Sequence, residues 1–303
     1  MDSRRVAWFV VLVTFLGGCA SPPVRTHATA AFEEDGPTVL EHLQSRYDDV
    51  GTCDGANPNA PAFVCNGIML RGVDASPNYH SWDVNPGSAK FPGVSFSYLR
   101  RDAPLLRLAY TYRAGLIFYP DYYAHRDGFD SPEVLCAFPI DGDTDSRADK
   151  GCGPSGGIAT SGPCQPQGIT TATAWLRHFT EVAGGVYKRQ CSFTVARHAG
   201  ESAAIFREVI KAEAILDLKQ HDSKPNELVL DGWAPGRDDK VPLEALFYLG
   251  SSPPGLATAQ FIQKDFKATA GRWVPIIRLT LPTVQAGAAS FDYQPGDQAV
   301  SGP

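Results

Sequence analysis

Two segments of the chain carry apolar residues at helical spacing. In residues 37–47, Val39, Leu40 and Leu43 fall on one side, which predicts a short amphipathic helix. Residues 201–220 show the clearer pattern. Their apolar positions are Ile205, Phe206, Val209, Ile210, Ile215 and Leu216. This spacing predicts a longer helix with one buried face.

Short apolar runs bounded by Gly, Pro or polar turns predict β-strands around these helices. The predicted strands cover residues 62–72, 93–99, 114–120, 133–139, 227–230, 243–249 and 273–281. Residues 141–172 are rich in Gly, Ser, Thr, Pro and Asp and predict a loop region. Because residues 37–283 contain no repeat and no linker, they predict one α+β domain. Residues 284–303 have no pattern and predict a disordered tail.

The amino-acid composition limits the classes of protein to which this chain can belong. Apolar residues make up 43% and charged residues 20%, which is typical of a globular protein. The net charge of −6 argues against nucleic acid as a partner, because phosphate binding needs a basic face.

The N-terminus predicts export. Residues 1–18 begin with a short segment that contains two arginines, and the apolar run Val6–Leu16 follows it. This order is typical of a signal peptide. The run ends in Gly-Gly-Cys19, a pattern typical of a bacterial lipobox, so Cys19 is the predicted lipid attachment site and residues 19–36 a tether. Ala20 follows in place of the Asp that retains lipoproteins at the inner membrane. The prediction is therefore an outer-membrane lipoprotein of the bacterial cell envelope, contacting membrane through its lipid only. The alternative is a secreted protein with an ordinary cleaved signal.

Six further cysteines predict disulfides in an exported chain. Local closure favours Cys53–Cys65, Cys136–Cys152 and Cys164–Cys191 among the possible pairings. A zinc site is the rival interpretation, but the chain has no C-x-x-C pair and no histidine at ligand spacing.

Three short pieces carry candidate chemistry. Arg71 lies on an apolar strand, Ser95 and Ser97 share one face of the next strand, and Glu227 leads a later strand. A carboxylate stabilises positive charge that develops on a substrate during bond cleavage. A hydroxyl bonded to that carboxylate fixes its rotamer. A guanidinium suits pyrophosphate oxygens.

This order of residues resembles the mono-ADP-ribosyltransferase and NAD-glycohydrolase fold of cholera- and pertussis-type toxins. Several segments also resemble the halovibrin family of secreted bacterial proteins, over roughly residues 38–281. They are Gly93–Arg100, Gly115–Pro120, Glu133–Asp141 and Asp149–Gly153. The resemblance implies an α+β fold with an ADP-ribosyltransferase-like split β-sheet, flanking helices and a disulfide-stapled insertion over 136–191. It also implies that Arg71 holds the NAD phosphates, that Ser95 and Ser97 orient Glu227, and that Glu227 holds the ribose.

Two choices remain within this hypothesis. Glu133 also leads a strand and is the rival catalytic carboxylate; Glu227 is preferred because the strands around it match the family better. Phe96 or Trp82 is expected to stack on nicotinamide, whereas His80 is expected to be an exposed loop residue.

The predicted function is an exported NAD glycohydrolase, with NAD as substrate and no metal or bound cofactor. Pro225, two residues before Glu227, offers no hydrogen bond to an incoming arginine, which favours water as the acceptor. The alternatives are a mono-ADP-ribosyltransferase toxin that modifies a host or competitor protein, and a non-catalytic surface-binding lipoprotein.

Overall fold

Apolar strands separated by polar turns assemble here into one sheet that carries helices on both faces. The computed structural model describes residues 33–53, 59–84, 86–90, 93–131, 133–143, 152, 163–195, 201–218, 224–231, 238–250, 252–283 and 287–303. The predicted signal peptide, the lipidation site Cys19 and most of the predicted tether lie outside the described residues.

The described part of the chain contains five α-helices and eight strands. The helices are α1 (Gly36–Asp48), α2 (Asp121–Arg126), α3 (Ala172–Arg177), α4 (Ser202–Leu218) and α5 (Pro253–Ala270). The strands are β1 (Ile68–Gly72), β2 (Val94–Leu99), β3 (Ala114–Phe118), β4 (Val134–Phe138), β5 (Glu227–Leu230), β6 (Leu243–Leu249), β7 (Ile276–Thr280) and β8 (Ser290–Tyr293). The predicted mixed α+β class is therefore confirmed.

The eight strands form one sheet in the order β4-β5-β2-β1-β3-β6-β7-β8. Neighbours pair antiparallel except β6 and β7, which are parallel and are connected through α5. The middle strand β2 changes partner along its length. Its second half pairs with β1, from Ser97↔Leu70 to Leu99↔Ile68, and its first half pairs with β5.

Helices cover the two faces of the sheet unequally. One face packs against α3, α4 and α5 in the large core, which contains Trp175, Phe206 and Phe266. The other face packs against α1 through Val39, Leu43 and Tyr47, over β1, the end of β2 at Leu99, β3 and β6–β8. A separate small cluster of Cys136, Phe138, Cys152 and Val229 covers β4 and β5. The second face is thus covered by two clusters that adjoin near β2.

The structure differs from the predicted elements in three places. Residues 62–64 form a 3₁₀ turn, and the strand begins only at Ile68. The helix α5 was not predicted; it follows the N-cap Ser252 and buries Ala259, Ile262 and Phe266. The predicted tail over 284–303 instead contains β8, which pairs with β7 and packs Phe291 against Tyr47 at 5.6 Å between ring centroids.

The three expected disulfides are confirmed: Cys53–Cys65, Cys136–Cys152 and Cys164–Cys191. Disulfides of this number are typical of an exported protein. Among the described helices, none combines the length and apolarity needed to cross a bilayer.

Candidate active site

The candidate site lies where β2 changes partner. Cross-strand partners share a face, so Ser97 lies beside Leu70 of the α1-covered cluster, and Ser95 lies beside Val229 of the smaller cluster. The two serines therefore occupy the boundary between the clusters. A cleft of about 320 Å³ opens there, within the size range of small-molecule sites. Arg71, Ser95, Ser97 and Glu227 all line it.

Glu227 is held by two donors. The Ser95 hydroxyl donates to Oε1, and the backbone N–H of Gly142 donates to Oε2 at 2.6 Å. The side chain is only 3% exposed, so these two bonds fix its orientation at the inner wall of the cleft. The carboxylate is thereby positioned before any ligand binds, as electrostatic catalysis requires.

Ser97 acts on the backbone rather than on the carboxylate. Its hydroxyl donates to the carbonyl oxygen of Asn226 at 3.2 Å. The Asn226 side chain in turn accepts from Tyr98 N at 2.7 Å and donates to Tyr98 O at 2.8 Å. These bonds tie β2 to the residue that precedes Glu227, so they set where β5 begins.

A buried acid on α4 supports the same residue. Asn226 Nδ2 also donates to Glu213 Oε1 at 2.7 Å, and Glu213 is 2% exposed. Burial raises the pKa of Glu213 well above its ordinary value, and the nearby Asp217 raises it further. The helix α4 is thus connected to the site through a polar contact inside the core.

The loop after β4 brings Gly142 to Glu227. Asp141 N donates to Pro225 O at 2.7 Å. The fully buried Gln190 donates to the carbonyl oxygens of Ile140 and Asp141 at 2.8 and 3.1 Å. The Cys136–Cys152 disulfide closes the segment that contains Gly142. The disulfide-stapled region therefore supplies a direct partner of the candidate carboxylate.

Arg71 follows Leu70, the last residue of β1 that pairs with β2. It is half-buried and lines the cleft at the point where the two strands separate. Arg71 and the buried Glu227 are therefore both lining residues of this cleft.

An exposed aromatic residue stands at the edge of the cleft. The backbone of Tyr110 and Thr111 has φ values of 53° and 62°, the left-handed region that residues with a Cβ rarely adopt. The Tyr110 side chain is 69% exposed and borders the cleft. Burial of part of the residue raises the pKa of Tyr110, and the negative charges of Asp141, Asp143 and Glu227 raise it further. This strained turn presents a ring next to the candidate carboxylate.

A second groove of about 360 Å³ adjoins the cleft and shares Tyr110, Tyr112, Asp141 and Pro225 with it. Three basic residues, Arg107, Arg113 and Lys224, line this groove. Together the cleft and the basic groove form a two-part surface divided by the Tyr110 turn.

The aromatic residues expected to stack on nicotinamide lie in the core. Phe96 borders the cleft, but its ring is 2% exposed and packs on Phe118 at 4.7 Å between centroids. Phe96 alternates with Ser95 and Ser97, so its ring points to the opposite face of β2. Trp82 is fully buried and donates to Asp265 at 3.1 Å. Tyr110 is instead the exposed ring beside Glu227.

The rival carboxylate lies elsewhere. Glu133 is exposed at the start of β4 and borders a different pocket, beside Val134 and Leu230. His80 is exposed, as expected for a loop residue, and bonds Asp265 at 2.8 Å while stacking on Trp82. Neither residue lines the Arg71–Glu227 cleft.

Sequence reasoning missed Asn226, Gly142 and Tyr110. Asn226 directly precedes the predicted carboxylate, and this adjacency was the available signal. A glycine amide that reaches a distant carboxylate has no sequence signature, and neither does a tyrosine in left-handed conformation.

No protein-family model matches the chain, and no curated protein is significantly similar to it.

Proposed function

We propose that this protein hydrolyses NAD at the bond between nicotinamide and ribose. The observation that carries the proposal is the hydrogen bond from Ser95 to the buried Glu227, in a cleft that Arg71 also lines. These are the residues in which the sequence resembles NAD glycohydrolases and ADP-ribosyltransferases.

The reaction needs a fixed negative charge beside the ribose. The C1′–N bond breaks heterolytically, and nicotinamide leaves with the electron pair. The ribosyl cation that develops is stabilised by the Glu227 carboxylate, which Ser95 and Gly142 hold in place. Water then adds to C1′, and its proton passes to solvent, which yields ADP-ribose and nicotinamide.

The charge around the cleft suits a dinucleotide. Arg71 offers a planar guanidinium to pyrophosphate oxygens. The adjoining groove adds Arg107, Arg113 and Lys224 for the remaining phosphate and the adenylate half. Tyr110, between the two parts, presents a ring on which a base stacks.

Water is the favoured acceptor because of the residue at position 225. Pro225 lines both the cleft and the basic groove. Its side chain has no polar atom with which to orient an incoming guanidinium. This observation favours hydrolysis over the transfer of ADP-ribose to an arginine.

The sheet is compatible with the split β-sheet of ADP-ribosyltransferases. In such a fold the sheet opens around the catalytic carboxylate. The change of partner along β2, with β1 on one side and β5 on the other, supports this assignment for the present chain. The disulfide-stapled residues 136–191 are then an insertion between β4 and α4.

We also propose that the enzyme acts outside the cytoplasm, attached through a lipid on Cys19. The disulfide bonds support export. NAD from a host or competitor cell is then the substrate.

The test is nicotinamide release from NAD by the purified, oxidised protein, measured for the wild type, Glu227→Gln and Glu133→Gln. Glu133 is the matched control because it also leads a strand next to β5 but is exposed outside the cleft. We expect release to fall at least a hundredfold in Glu227→Gln and to be unchanged in Glu133→Gln, with circular dichroism showing that both variants are folded.

Other outcomes would redirect the proposal. Loss of activity only in Glu133→Gln would move the catalytic carboxylate to β4. Labelled ADP-ribose on a lysate protein, without free ADP-ribose, would indicate a transferase. A folded wild type that neither releases nicotinamide nor labels a protein would favour a binding lipoprotein.

A further inference from the structure

A histidine and two glutamates meet at the junction of α1 and β6, apart from the cleft. One ligating atom from each of Glu34, His42 and Glu244 lies within 4.8 Å of the others. Glu34 stands just before the N-cap of α1, His42 lies within α1, and Glu244 lies on β6. The three residues therefore come from segments that only the tertiary fold brings together.

The buried glutamate has an unsatisfied oxygen. The Glu244 side chain is fully buried, and its Oε2 accepts from Arg46 at 2.5 Å. Its Oε1 is also buried and has no hydrogen-bond partner among the described residues. Leaving a carboxylate oxygen without a partner inside a protein is costly, so this atom points to a ligand.

The spacing of the other two residues matches that of ligands around one ion. His42 Nδ1 and Glu34 Oε2 are 3.3 Å apart. Ligands at about 2.1 Å from a tetrahedral ion are about 3.4 Å from each other. The ligating atom of Glu244 lies within 4.8 Å of the other two, so reaching the separation of tetrahedral ligands requires a movement of at most about 1.4 Å.

Neighbouring side chains hold these carboxylates as metal-binding carboxylates are held. Arg46 binds one oxygen of Glu244 and leaves the other open, and Tyr119 donates to Glu34 Oε2 at 3.4 Å. The cluster contains two carboxyl groups and one guanidinium, and this excess of acidic groups favours a cation. The His42 side chain is 44% exposed, so an ion has access from solvent.

We propose that Glu34, His42 and Glu244 bind one divalent transition-metal ion, with water at the open position. One imidazole nitrogen and two carboxylates favour an ion such as Zn²⁺ or Mn²⁺ over Ca²⁺ or Mg²⁺, which prefer oxygen ligands. The ion would fasten the residues before α1 to β6. The spacing of cysteines and histidines does not indicate this site, since Glu244 is remote in sequence from the other two residues.

The experiment is a calorimetric titration of the chelator-treated, oxidised protein with Zn²⁺. His42→Ala is the test variant, and His80→Ala is the matched control. His80 forms another exposed histidine–carboxylate pair, with a side-chain exposure of 45% against 44% for His42. We expect one Zn²⁺ per chain in the wild type and in His80→Ala, and at least tenfold weaker binding in His42→Ala.

Thermal unfolding provides a second readout. Zn²⁺ is expected to raise the Tm of the wild type and His80→Ala but not of His42→Ala, because a ligand that binds only the folded state stabilises it. Glu34→Gln is the second variant, should His42→Ala fail to fold. The proposal is overturned if the wild type binds no Zn²⁺ saturably, or if His42→Ala and Glu34→Gln bind it as the wild type does.

Discussion

The Ser95 hydroxyl donates to Glu227 across two neighbouring strands, although 132 residues separate the two in the chain. Ser97, two positions further along the same strand, donates instead to the carbonyl oxygen of Asn226. The two serines thus have different partners within one cleft, so substitutions at the two positions are expected to have different effects.

Ser95→Ala is expected to lower kcat for nicotinamide release about tenfold to a hundredfold, because a hydrogen bond to a charged group contributes about 1.5–3 kcal/mol. Ser97→Ala is expected to lower the free energy of unfolding by about 1 kcal/mol, with a smaller effect on kcat. Steady-state kinetics and urea unfolding of both variants separate the two effects. Equal losses of kcat would show that the serines do not divide these roles.

Removing the Cys136–Cys152 disulfide is expected to reduce activity more than removing Cys53–Cys65. The loops are of similar size, with sequence separations of 16 and 12, so each bond contributes a similar stability of about 3 kcal/mol. Only the first loop contains Gly142, whose amide binds Glu227.

The disulfide measurement compares Cys136→Ser/Cys152→Ser with Cys53→Ser/Cys65→Ser at a temperature where both are folded. Equal specific activities would mean that the Gly142 contact does not depend on its disulfide.

Glu213→Gln is expected to change how stability depends on pH. Because burial raises the pKa of Glu213 above 4.5, the folded state holds a proton that the unfolded chain loses. The free energy of unfolding of the wild type therefore falls as pH rises from about 4.5 through the folded-state pKa. The Glu213→Gln variant keeps the contact to Asn226, but its amide does not titrate. Its free energy of unfolding therefore lacks this decrease with pH.

Urea unfolding at about pH 4 and about pH 8 measures the difference between Glu213→Gln and the wild type. We expect the variant to gain at least about 1 kcal/mol relative to the wild type between the two pH values. A pH-independent difference would mean that Glu213 does not retain its proton in the fold.

Tyr110→Ala is expected to raise KM for NAD about tenfold with little change in kcat, since stacking on a base contributes about 1–3 kcal/mol. Tyr122 is the control, because its side chain is also exposed, at 60% against 69%, and it lies on α2 outside the cleft. Tyr122→Ala should leave KM unchanged. An unchanged KM in Tyr110→Ala would mean that the Tyr110 ring does not contribute to NAD binding.

The basic groove makes a separate prediction about phosphate binding. The Arg107→Ala/Arg113→Ala double variant is expected to raise KM about tenfold and to weaken its dependence on salt, because exposed charges attract anions through a screened field. Arg101→Ala is the control, since Arg101 pairs with Asp48 outside both grooves. Identical salt dependence in the double variant and the wild type would exclude the groove from binding.

Local pattern determined much of this protein. The sequence predicted the helices α1 and α4, the seven strands from β1 to β7 and the three disulfide pairs. Each of these depends on neighbouring residues or on short loops. The identities of Arg71, Ser95 and Glu227 as cleft residues were also predicted, from residue type and order. The tail is the counterexample: β8 forms because β7 offers an edge and Tyr47 a packing partner, and Tyr47 is remote in sequence.

Only the tertiary structure decided which groups meet. Pairing of β2 with β5 brings Ser95 to Glu227, and closure of the disulfide loop brings the Gly142 amide to the same carboxylate. The strand alternation that turns Ser95 and Ser97 toward the cleft sends the Phe96 ring into the core. The cluster of Glu34, His42 and Glu244 likewise depends on α1 packing against the sheet. These contacts join residues far apart in the chain, so their geometry is set by packing and pairing rather than by local sequence.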